Sequence, residues 1–106
     1  MNKYFENYIK ECSELLLEVF SKNISKAELT AFREEVQQEN LSVVEVMLCK
    51  SIDAVLDVIN DQLGDMVIYE ILGISQFKIK NTIKKYITEE KIIEMFNKIE
   101  SRGEYE

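Results

Sequence analysis

The side chains with chemistry to offer in this chain are carboxylates and lysines. Asp53, Asp57 and Asp61 recur at every fourth position, and Glu45 continues the row backward. On a helix that spacing lines one face. Glu34, Glu35 and Glu39 stand a little upstream. The plain reading is a solvated stripe. The functional one is a landing strip for a basic partner: Lys and Arg side chains, or a protein surface that normally holds nucleic acid. Opposed in charge is the segment 76–88, with Lys78, Lys80, Lys84 and Lys85 and no acid. There is no histidine, which removes the usual zinc ligand, general base and physiological pH switch together. Cys12 and Cys49 form no CxxC and are expected to be small buried residues in a reducing compartment.

Nothing else in the sequence points to catalysis. No Gly-rich phosphate loop exists, and no base stands beside a nucleophile in any recognised pattern. Carboxylates on facing helices can hold metals, as the paired ExxE and ExxD patterns of all-helical nucleotide pyrophosphohydrolases do. Glu11-x-x-Glu14 supplies one half, but the third helix has no ExxD. Di-iron bundles need ExxH, which a chain without histidine cannot supply. The expectation is therefore no enzyme, no catalytic residue, no metal and no cofactor.

The elements that must carry these residues centre on Leu41 to Leu63. Leu41, Val44, Leu48, Ile52, Val55, Ile59 and Leu63 form one apolar row in steps of three or four. Val43, Met47, Ala54 and Val58 widen it, which predicts a helix buried over most of its circumference. At 1.5 Å per residue it would span about 34 Å, so other helices, or a second copy of the chain, must sheathe it. With no proline and only three glycines, the links are short and strands are not expected.

The fold class read from this is all-α: a single-domain bundle of five to six helices around the central one, about 43–63. A single domain covers 1–102, with 103–106 as a frayed tail. A first helix spans 3–21. Ser25 and Glu28 make a capping box that opens a second, running to about Glu39, and Ser42 with Glu45 repeats the pattern. Gly64 ends the third helix as a left-handed cap. Asp65 caps a short helix over 66–72, Ser75 caps 76–87, and Thr88 caps 89–101 after a break.

The stretch Asp65 to Tyr86 resembles a helix-turn-helix DNA-binding motif: an eight-residue helix, a Gly-Ile-Ser turn and a basic second helix. Gly73 falls where that family keeps its turn glycine, and Leu72, Ile74 and Ile79 fall on its core positions. The resemblance covers 22 residues. It implies that Gln76, Lys80 and Asn81 face the groove, Gln and Asn pairing with adenine, while Lys78, Lys84 and Lys85 add phosphate contacts. Tyr69 departs from the alanine expected at the helix crossing, and Thr82 from an apolar position.

Charge is uneven. Residues 1–75 hold six Lys or Arg and fourteen Asp or Glu, a net of −8, whereas 76–106 hold seven and six, a net of +1. No apolar window reaches about 18 residues, so no membrane partner is expected. The start, MNKYFENYIKEC, lacks the apolar core of a signal peptide, which reads as cytoplasmic. The abundance of Ile, Lys, Asn and Glu suggests a prokaryote or phage. The leading expectation is a non-enzymatic macromolecule-binding protein of inhibitor, immunity or adaptor type. It would bind a protein partner through Glu34, Glu35, Glu39, Glu45, Asp53, Asp57 and Asp61. The alternative is a helix-turn-helix transcriptional regulator reading nucleic acid with 76–87. A homodimer is compatible with either.

Overall fold

Serine and threonine caps divide the chain into its helices. The computed structural model describes residues 1–102; the expected frayed tail, 103–106, lies outside the described residues. Helix α1 spans Lys3–Asn23, α2 Lys26–Gln38, α3 Val43–Leu63, α4 Gln76–Tyr86 and α5 Glu89–Glu100, with a π-helix over Met66–Ile71 between α3 and α4. No strand occurs among the described residues. The fold is the all-α bundle that the apolar periodicity predicts.

Local chemistry explains the boundaries. Ser25 accepts from the Glu28 N–H at 3.0 Å, and Glu28 accepts from the Ser25 N–H at 3.0 Å, a complete capping box. Ser42 accepts from Glu45 N–H, Ser75 from Lys78 N–H and Thr88 from Lys91 N–H. Each satisfies one of the N-terminal donors a helix leaves open. At the end of α2, Asn40 takes φ 58°, the left-handed turn that asparagine tolerates. Gly64 breaks α3 with φ 79° and ψ 155°, a mirror-extended conformation rather than the left-handed helical cap expected.

Four further expectations are corrected here. Asp65 makes no side-chain cap, being itself in helical conformation. The segment after it is a π-helix, closed by the Leu72 N–H on the Val67 carbonyl five residues back at 2.9 Å. The predicted apolar row is less wrapped than its composition suggests: Leu41 lies before the Ser42 cap and is 51% exposed, and Val58 on α3 is 36% exposed. Cys49 lies exposed and Cys12 half-buried, so the cysteines are not a buried pair.

One core gathers side chains from every helix: Ile9, Leu29, Val55 and Ile59, Ile68, Ile79 and Ile83, Ile92 and Ile99 among them. Helix α3 packs on all five other elements, and α1 packs on α3, α4 and α5. The partnership of α1 with α4 and α5 has a simple register. Glu6 meets Lys85, Arg102 reaches the Lys22 carbonyl, and Thr82 lies against Met1, at sequence separations of 79, 80 and 81. A constant separation means parallel helices side by side. The α4–α5 rod, broken at Ile87 and Thr88, therefore runs along α1 from end to end.

Candidate functional site

Every acid of the predicted stripe lies at the surface. Glu34 and Glu35 sit on α2, Glu39 just past its end, and Glu45, Asp53, Asp57 and Asp61 on α3. The aspartates stand opposite the buried line Ile52, Val55 and Ile59, which is why the sequence period found them. Asp53 is partly neutralised, its carboxylate 3.3 Å from the Lys80 ammonium. Its side chain remains 60% exposed, so water screens the pair and its stabilisation is small. Glu45, Asp57, Asp61 and the three α2 acids form no ion pair among the described residues. Val46, two turns before Asp53, is half-buried in the same stripe, and exposed Lys50 interrupts it. The result is a carboxylate face with a small apolar element, broken by one lysine.

The basic residues are divided. Lys80 answers Asp53, and Lys85 donates to Glu6 at 3.0 Å, which raises the Lys85 pKa above its ordinary value. Lys78 stands beside the Met1 amine and pushes that amine's pKa down. Gln76, Asn81 and Lys84 are exposed, and exposed Phe77 shares the outward face of α4 with Asn81 and Lys84. The arrangement differs from the one the helix-turn-helix resemblance implies. The backbone of the π-helix closely approaches that of α3 but not that of α4, and Ile68 meets Ile79 and Ile83 only as members of the common core. Thr82 occupies its apolar position by turning its hydroxyl onto the Lys78 carbonyl at 2.8 Å. The Tyr69 hydroxyl is buried without a hydrogen-bond partner.

A feature not singled out in the sequence is an open groove of about 550 Å³ between α1 and α5. Leu17, Ser21 and Met95 contribute to its lining, with Glu18, Lys22 and Lys98 around them. The Lys22 ammonium, 2.8 Å from Glu18, holds that carboxyl below its ordinary pKa, with help from Lys98. Arg102 donates to the Lys22 carbonyl and closes the end of α1. The period of each helix was legible, but the eighty-residue pairing that puts these residues together was not. Near α3, burial raises the pKa of both Cys12 and Tyr8, so the thiol is held in its unreactive form. Among the described residues, no three acid or cysteine side chains converge as metal ligands would, and no helix is long and apolar enough to cross a membrane.

Fold and surface together define an all-α bundle with a charge-segregated exterior. No known family model, characterised protein or solved structure matches the chain. Its function is therefore read from its own residues.

Proposed function

We propose that this chain is a non-enzymatic macromolecule-binding protein, of inhibitor, immunity or adaptor type, that engages a basic protein surface through the solvent face of α3. The observation that carries the reading is the unpaired state of Glu45, Asp57 and Asp61 on a helix that packs on every other element. Like charges one turn apart destabilise a helix by a few tenths of a kcal/mol per pair. No lysine of the chain answers Asp57 or Asp61, so the repulsion there is retained rather than relieved. A basic partner would relieve it, and would be steered by the same field. Glu34, Glu35 and Glu39 enlarge that field from α2, and half-buried Val46 supplies apolar contact within it.

The test is capture of the partner with the intact chain, followed by the reversal Asp57→Lys with Asp61→Lys. Both positions are exposed, so helicity should be unchanged and capture lost; capture that persists removes the stripe from the mechanism. Wild-type association should also slow steeply as salt rises. Duplex DNA serves as the comparison. A shift of random duplex at low salt, abolished by Lys84→Glu, would transfer the function to Gln76, Lys78, Lys80, Asn81, Lys84 and Lys85 on α4.

A further inference from the structure

Along α1 four apolar side chains break the surface in one line. Tyr4 is 86% exposed, Leu15 61% and Val19 43%, with Tyr8 half-buried between them. At about 100° per residue they fall within roughly 60° of arc. Single exposed apolar residues are ordinary on a monomer, but an aligned row along a whole helix is not. The buried face of α1 packs on α3, α4 and α5, while exposed Asn7, Glu11, Glu14 and Glu18 flank the row on its other side. A hydrogen bond from the Tyr8 hydroxyl to Gln62 brings the end of α3 to the edge of the row. Val58, one turn back from Gln62 and partly exposed, widens it.

We propose that a second copy of this chain covers the row, α1 against α1, antiparallel about a two-fold axis between residues 11 and 12. Spacing commits the face to that occupant. Tyr4 and Tyr8 are four residues apart, as are Leu15 and Val19, and the pattern is centred between Glu11 and Cys12. Turning the helix about that centre lays Tyr4 on the other copy's Val19 and Tyr8 on its Leu15. Each contact then occurs twice, as an isologous interface requires. Charge selects the direction. Beside the row, Glu18 and Lys22 stand in the C-terminal half of α1. Antiparallel pairing keeps each away from its own copy, whereas parallel pairing would set Glu18 against Glu18 and Lys22 against Lys22. The contact is a strip about 27 Å long and one helix wide. That is less than the roughly 1,600 Å² of a standard interface, so the pairing is reversible and concentration-dependent. This inference stands apart from the reading of the α3 carboxylates.

Sedimentation equilibrium of the full chain from micromolar to millimolar tests it. The weight-average mass should climb from 12.4 kDa toward twice that value. Leu15→Glu and Val19→Glu replace exposed side chains; each should hold the mass at the monomer value with unchanged far-UV circular dichroism. In a background with Cys12→Ser and Cys49→Ser, Glu11→Cys should be bridged into a covalent dimer by a short bis-maleimide. Lys26→Cys, away from the axis, should not. A chain that stays monomeric at millimolar concentration overturns the proposal, as does a dimer that survives both glutamate variants or a Glu11→Cys chain that is not bridged.

Discussion

Ser51 has no exposed surface, and its hydroxyl finds no hydrogen-bond partner. A serine inside a helix ordinarily turns back onto the carbonyl four residues earlier. Ser13 does so on Ile9 at 2.8 Å. An unsatisfied buried hydroxyl costs about 1–3 kcal/mol, and alanine is the better helix former. Ser51→Ala should therefore raise stability by about 1 kcal/mol, seen as a higher urea midpoint; a lower midpoint would show that the hydroxyl is bonded. Ile59 gives the opposite case. It is fully buried, one turn before the C-terminal end of α3, and Ile59→Ala should cost about 2–5 kcal/mol. Glu28 supplies a pH-dependent test. Its bond from the Ser25 N–H holds its carboxyl below the ordinary 4.5. A depressed carboxyl stabilises the fold above its unfolded pKa, and the contribution is lost as pH falls through the folded value. The stability gap between wild type and Glu28→Ala should be open at neutral pH and close in acid. A gap unchanged down to pH 3 would exclude the ionised box. Single residues of this kind were only partly legible. Apolar spacing located Ile59, and the same period sets Cys49 between Glu45 and Asp53 on the exposed face, but it does not reveal that a serine on the buried face, Ser51, is left without a partner.

At the level of elements, whatever local chemistry dictates could be read from the chain. Ser25, Ser42, Ser75 and Thr88 all cap, and the interruption between α4 and α5 falls at Ile87 and Thr88, where the Thr88 cap was expected. The π-helix could not be foreseen. Its wider turn comes from fitting Ile68 into the core and then reversing the chain, through Ile74 N–H to the Ile68 carbonyl at 3.0 Å. These are demands of tertiary packing, not of residues 66–71 alone. Gly73 makes that reversal with φ 65° and has open space where a Cβ would go. Gly73→Ala should accordingly cost only the backbone strain, about 1–2 kcal/mol, and Gly73→Asn less. Equal stability for glycine and alanine would mean that the turn relaxes. The attachment of α2 was also invisible in sequence. Arg33 pairs with Glu100 and lies 5.3 Å from the Phe96 ring centroid, which holds α2 to α5. Arg33→Ala should raise amide exchange in α2 while leaving α1 protected.

Over the whole molecule, the exposed acids, the basic helix and the apolar row are distributed among different helices. The exposed row was not legible, because apolar residues line both faces of α1 and Tyr4, Leu15 and Val19 cannot be told from Phe5, Leu16 and Phe20 by spacing. The acids and the basic helix were legible, because each follows a helical period. Their mutual placement was not, because it depends on which helices are neighbours. The stripe on α3 was expected to carry four equivalent acids, yet Asp53 is answered by Lys80 while Asp57 and Asp61 are not. No periodicity within α3 could have disclosed a lysine arriving from α4. The same ignorance of neighbours hid the groove between α1 and α5.

The separation of about eighty residues between α1 and the α4–α5 rod also bears on how the chain is made. When α1 leaves the ribosome, α4 and α5, which will lie along it, do not yet exist. At about 5–20 residues per second, roughly 4–16 s pass before they emerge. Through that interval the nascent helix is wet on its greasy side and open to whatever holds unfinished chains. A premature stop within the last helix would thus yield no shortened version of this protein, only a polypeptide still waiting for its other half.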